Sequence, residues 1–137
     1  MMKEWKVDTK DTQHIVIGTL DNSIVDSLKE KLGESHFHIH VVQKGIDILT
    51  IILDYHVDLL IVDVDLAGMM GIDILPIVKR LRPRLPVILI TDDINLRIRK
   101  IAAEIGVRYQ AFKPISDFDS NAIAVATELI MEKAKVA

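Results

Sequence analysis

No cysteine occurs among the 137 residues, which excludes a disulfide framework and any thiolate metal site and fits a reducing compartment. An apolar leader is missing too: Met1 to Gln13 is polar and mixed in charge, so it does not read as a secretory signal. Long apolar runs are also lacking, because Asp, Lys, Arg or His cuts each one before the roughly 18 residues a membrane span needs. Excess charge of one sign is the fourth absence. Lys plus Arg number 17 against 20 for Asp plus Glu, a formal net charge of −3, so nothing global favours direct nucleic-acid binding. With no repeat, low-complexity tract or linker, the chain reads as one cytoplasmic domain over residues 14–137, preceded by a flexible N-terminal tail over 1–13.

What is present is an alternation of short apolar runs with longer amphipathic stretches. Ile15 to Leu20, Phe37 to Val42, Leu59 to Val62, Val87 to Ile90 and Val107 to Phe112 have strand length. Between them, Ile24, Leu28 and Leu32 keep a helical period that Gly33 stops. Gly45 to His56 reads as a second, largely apolar helix and Ile72 to Leu81 as a third, with Pro76 expected near its first turn. Ile94, Ile98, Ile101 and Ile105 mark a fourth ending at Gly106, and a fifth follows Ser116. Five strands alternating with five helices predict an α/β fold, an all-parallel sheet covered on both faces through right-handed crossovers.

Three of the apolar runs end abruptly in a functional group. Val57-Asp58-Leu59-Leu60-Ile61-Val62 stops at Asp63, the fourth run stops at Thr91, and the fifth stops at Lys113-Pro114. Parallel open sheets build their sites at such strand ends. A carboxylate, a hydroxyl and an ammonium are thus delivered to strand ends, the feature from which function can be argued. Lys113 and Asp63 are expected to form an ion pair.

The segment VDLLIVDVDLAGMMGIDILPIVKRLRPRLPVILIT, with GVRYQAFKPIS after it, resembles the receiver domain of two-component response regulators. From Gly71 to Pro86 it is similar to receivers of the nitrogen-regulatory activator type. The resemblance covers the chain from about His14 onward and implies a flavodoxin-like doubly wound sheet of strand order 2-1-3-4-5. It implies phosphorelay signal transduction by a phosphoprotein, not an enzyme. Asp63 stands at the phosphoacceptor position, with Thr91 and Lys113 responding to the phosphoryl group. A cis bond at Lys113-Pro114, a Mg²⁺ cofactor and a histidine kinase or phosphotransfer protein as partner are implied as well.

Against that pattern the chain departs in several places. Receivers hold Mg²⁺ through two consecutive acids where the first strand ends. Here the helix pattern puts Thr19 and Leu20, or with a one-residue shift Leu20 and Asp21, on the pair, so at least one carboxylate is lost and the metal ligands reduce to Asp63 and, weakly, Asp21. Asp92 and Asp93 follow Thr91 where a small residue is usual, and two negative charges there oppose an incoming phosphodonor. Ala67 replaces the usual loop proline. Asp65 reads as a solvated loop residue, with a substitute cation site of Asp21, Asp63, Asp65 and Asp92 as its functional alternative. Gln110 takes the place of the switching aromatic, and Tyr109 lies one residue early, on the other face of the strand.

His36, His38 and His40 alternate. Alternate strand residues lie roughly 6.6 Å apart, so three cannot converge on one zinc ion, and half-exposed histidines on an edge strand are expected. Arg97, Arg99, Lys100 and Arg108 give a basic surface on the fourth helix and beside the fifth strand. Apolar coverage of the last helix, from Ala122 to Met131, exceeds one core stripe, which suits a downstream partner or a homodimer.

The reading is therefore an atypical receiver with a degraded metal site, acting largely through phosphorylation-independent protein contact. One alternative is a conventional Mg²⁺-dependent phosphoacceptor using Asp21. Another, from a different class, is a haloacid-dehalogenase-like phosphatase using Asp63 and Asp65 of the Asp63-Val64-Asp65 motif.

Overall fold

The structure, a computed structural model, describes residues 3–5, 12–33, 37–92 and 96–136. Five strands, β1 (Gln13–Gly18), β2 (Phe37–Val42), β3 (Leu59–Asp63), β4 (Val87–Thr91) and β5 (Tyr109–Phe112), form one sheet of order β2-β1-β3-β4-β5. All neighbours are parallel. The helices are α1 (Asn22–Leu32), α2 (Gly45–Asp54), α3 (Gly71–Leu81), α4 (Leu96–Ile105) and α5 (Asp117–Val136). This is the flavodoxin-like arrangement expected.

Every residue of β3 and β4 is buried, because helices cover both sheet faces and leave no polar side to the strand. Alternation sorts their side chains into two cores. Ile15, Ile17, Leu59, Ile61, Ile88 and Ile90 pack with α1 and α5. Val16, Leu60, Val62, Val87 and Leu89 face the other way onto α2, α3 and α4. Each such side chain stabilises the fold by about 1.5–3 kcal/mol through removal from water.

Local chemistry sets the helix ends. Asp21 caps α1 by accepting from the Ser23 amide at 2.9 Å, and Gly33, at φ 74°, ends it with its N–H on the Lys29 carbonyl. Pro76 corrects the expectation of a first-turn proline. It is the sixth residue of α3, so the Ile72 carbonyl loses its helical donor inside the helix. The second helix stops at Asp54, short of His56, where Tyr55 turns to extended backbone and bridges Lys3. β1 ends at Gly18, which leaves Thr19 and Leu20 in the connection to α1. β5 begins at Tyr109, leaving Val107 and Arg108 before it.

Within the segment expected to be a tail, residues 3–5 lie against the domain. Trp5 stacks on His40 (ring centroids 3.9 Å), Tyr55 (4.2 Å) and His14 (5.0 Å), and its indole N–H donates to the His56 carbonyl at 2.9 Å. His38 and His40 are half-buried on the edge strand β2. His40 Nε2 lies 3.0 Å from Nδ1 of the buried His14, a partner that the alternating histidine pattern does not reveal. His36, Asp93 and Ile94 lie outside the described residues.

Candidate functional site

Strand register builds the site. Gly18 pairs with Val62, Asp63 with Ile90, and Thr91 with Phe112. The next residue of β1's exit, Thr19, and of β5's exit, Lys113, therefore come to the same C-terminal edge as Asp63 and Thr91. The Lys113 amide donates to the Thr91 carbonyl at 2.8 Å, and the Lys113-Pro114 bond is cis. Asp63 and Thr91 are 1% and 0% exposed.

Asp63 Oδ2 accepts two bonds, from the Lys113 ammonium at 2.7 Å and the Thr19 hydroxyl at 2.8 Å. Oδ1 accepts the Asp65 amide at 3.0 Å. Buried carboxylates require such partners, since an unpaired buried charge is strongly disfavoured. Lys113 also reaches Asp65 Oδ2 at 3.0 Å, which corrects the solvated-loop reading of Asp65: its carboxylate shares the ammonium with Asp63. Burial alone would lower the Lys113 pKa, yet hydrogen bonds and charges from Asp63 and Asp65 outweigh it and hold the ammonium above the ordinary lysine value.

Thr19 is the residue that sequence reasoning undervalues. It is 1% exposed, and its hydroxyl joins the Asp63 carboxylate to the start of α1 by also accepting the Asp21 amide at 3.1 Å. Asp21 itself is turned to capping. Its Oδ1 takes the Ser23 hydroxyl (2.6 Å) and amide, and these bonds, led by the hydroxyl, place its pKa below the usual carboxylate value. Leu20 is exposed at 47%.

Gly71, which the sequence reading leaves just before a third helix expected from Ile72, has a steric role. A Cβ there would fall 2.2 Å from the Asp63 carbonyl oxygen, so glycine lets α3 start directly against Asp63, with its amide on the Val64 carbonyl at 2.8 Å. Next to the site, Asp21, Ser23, Asp92, Lys113 and Pro114 line an open groove of about 490 Å³. Asp92 is exposed. The four acids Asp21, Asp63, Asp65 and Asp92 do not gather as a substitute cation site: among the described residues no three His, Asp or Glu side chains are grouped to hold a metal ion.

Gln110 pairs with Leu89, on the α3 and α4 side, whereas Tyr109 packs with the α1 and α5 core. The Gln110 Nε2 is buried without a hydrogen-bond partner among the described residues. Arg97, Arg99, Lys100 and Arg108 are exposed, with Arg97 near Asp73 at 3.6 Å. On α5, Phe118, Val125 and Leu129 are exposed at 78%, 56% and 63%.

Fold and site together define a parallel α/β domain whose C-terminal edge presents a buried carboxylate held by a lysine. The sequence profile of the response regulator receiver domain matches residues 20–124, and the chain belongs to that family. Its fold is similar to a CheY-like receiver domain from Methanospirillum hungatei JF-1, at 23% identity and TM-score 0.77, covering 92% of this chain and 99% of that one. A receiver domain of an HD domain-containing protein from Pseudomonas fluorescens Pf-5 aligns at 21% identity and TM-score 0.79, over 92% and 99% of the two chains. The receiver domain of a putative LuxO repressor protein from Vibrio parahaemolyticus gives 20% identity and TM-score 0.79, over 91% and 94%. No curated protein sequence matches the chain. Family and sheet order leave the phosphatase alternative without support. Among the described residues no helix is long and apolar enough to cross a membrane.

Proposed function

We propose that this receiver takes part in two-component phosphorelay signalling with Asp63 as its acceptor position and a degraded Mg²⁺ site, so that protein contact carries most of its signal. The observation that supports this most is the Thr19 hydroxyl on Asp63 Oδ2, a neutral donor at the edge where the family places an acid. Receiver domains typically bind Mg²⁺ at the phosphorylation site. Mg²⁺ wants carboxylate oxygens, waters and phosphate oxygens in an octahedron. Thr19 supplies a donor, Asp21 is engaged with Ser23, and both Asp63 oxygens carry hydrogen bonds, so the residues present do not fit an ordinary Mg²⁺ site.

What the chain's own residues offer is a carboxylate nucleophile, an ammonium for the phosphoryl charge and, in Thr91, a hydroxyl at the same edge. Lys113 and Thr19 must give up Oδ2 before that oxygen can attack. A histidine kinase or phosphotransfer protein would be the donor, in the cytoplasm, with no membrane or direct nucleic-acid contact. Output would leave through α4, β5 and α5, where the basic residues Arg97, Lys100 and Arg108 and the apolar stripe of Phe118, Val125 and Leu129 suit a downstream protein or a second copy. Gln110 lacks the ring whose swing would couple acceptor to surface, so binding there would be constitutive.

Magnesium titration of the ¹⁵N-labelled chain tests the site. The expected result is no saturable amide shift at Asp21, Asp63 or Asp65 at millimolar Mg²⁺, and a saturable one in the Thr19→Asp/Leu20→Asp variant. Tight Mg²⁺ binding by the unaltered chain would overturn the degraded-site reading.

A further inference from the structure

At the sheet edge opposite Asp63, the loops entering β3, β4 and β5 and the last turns of α5 border an open hollow of about 670 Å³. Small-molecule sites span roughly 300–1,000 Å³ and are mostly apolar with a few placed polar groups. Leu81, Leu85, Pro86 and Ile130 supply apolar walls, and Ile52, fully buried, lies behind them. The phosphoacceptor chemistry uses none of these residues, so a ligand here is independent of the reading of Asp63.

Charge in this hollow runs against that of the chain. Arg82, Arg84, Arg108 and Lys133 line it, in a molecule of formal charge −3. Asp58 is the acid among the lining residues, and it is occupied: Oδ2 accepts the His14 amide at 2.7 Å and Oδ1 lies 2.9 Å from His56 Nε2. Arg82 is anchored through the Leu81 and Leu53 carbonyls at 3.0 and 3.1 Å, whereas Arg84, Arg108 and Lys133 are exposed at the mouth. A neutral hydrocarbon would leave these cations unengaged. An inorganic anion would leave the walls uncovered, and a sugar or base would bring polar groups against apolar walls that cannot satisfy them.

We propose that this hollow binds a single-chain amphiphilic anion, its apolar tail between Leu81, Leu85 and Ile130 and its carboxylate-type head among Arg84, Arg108 and Lys133. Charge-assisted bonds at the mouth and apolar burial within would act on the two ends of one molecule.

The test titrates the ¹⁵N-labelled full chain with dodecanoate below its micellar concentration. Dodecyltrimethylammonium serves as tail without anion, and acetate as anion without tail. Expected are saturable shifts confined to residues 81–86, 108 and 130–134, with dodecanoate binding at least about tenfold more tightly than either control. Arg84→Gln/Arg108→Gln, at two exposed positions and with an otherwise unchanged spectrum confirming the fold, should weaken dodecanoate by roughly tenfold. Absence of saturable shifts here, equal binding of the ammonium amphiphile, or full affinity in the double variant would overturn the proposal.

Discussion

The two edges of the sheet bury polar groups by different means. At the C-terminal edge opposite charges meet: Asp63 and Asp65 share the Lys113 ammonium. At the N-terminal edge rings meet, with Trp5 laid over His14, His40 and Tyr55 and two imidazoles hydrogen-bonded to each other. That histidine bond needs one imidazole nitrogen as acceptor, so the pair cannot be doubly protonated without breaking. The first edge concentrates charge on a buried carboxylate beside an open groove. The second holds Trp5 against the edge strand. Buried polarity is thus ionic where it borders the open groove and aromatic beneath Trp5.

The C-terminal edge should break hardest where backbone meets backbone. Gly71→Ala would force α3 away from β3, since its Cβ falls 2.2 Å from the Asp63 carbonyl oxygen, and a loss of about 3 kcal/mol or more is expected in urea unfolding. A loss under about 1 kcal/mol would mean that the approach of α3 to β3 is looser than described. Next in size is Lys113→Ala, which strands the buried Asp63 charge and should cost about 2–4 kcal/mol. Adding Asp63→Asn should return most of that loss by removing the stranded charge, and no recovery would contradict the pairing.

Smaller effects, opposite in pH, separate the edges. Lys113 has a raised pKa, so its contribution is complete below the ordinary lysine value of 10.5 and lost as pH climbs through the raised one. His40 is pushed down from 6.5 to about 4, by burial first and then by His14 and His38. Between those values the unfolded chain takes up a proton that the folded chain refuses, so stability falls as pH drops from about 6.5 to about 4 and this loss levels off below. Urea midpoints from pH 7 to pH 4 should fall less steeply in His40→Gln than in the unaltered chain. Identical slopes would show that His40 has no part in the acid sensitivity.

Much of this contrast is legible in the sequence at one edge and hidden at the other. Apolar runs buried on both faces announce β3 and β4, and a polar residue that ends such a run must sit at an edge, which is why Asp63, Thr91 and Lys113 are readable without coordinates. Thr19 reads only as a missing acid, because its bond to Asp63 depends on β1 and β3 standing in register. Asp65 looks solvated because its partner lies 48 positions further along. The alternating histidines are visible, but His14 and Trp5 join them only once β2 pairs with β1 and the first residues fold back. Periodicity reports which face is apolar. It does not report where one side chain meets another far along the chain.

The proposal that this receiver's metal site is degraded is tested most directly by intact mass after incubation with a small phosphodonor and Mg²⁺. Little or no gain of one phosphoryl group is expected in the unaltered chain, a clear gain in Thr19→Asp/Leu20→Asp, and none when Asp63→Asn is added to that variant. Rapid, stoichiometric phosphorylation of the unaltered chain, dependent on Mg²⁺ and abolished by Asp63→Asn, would contradict it.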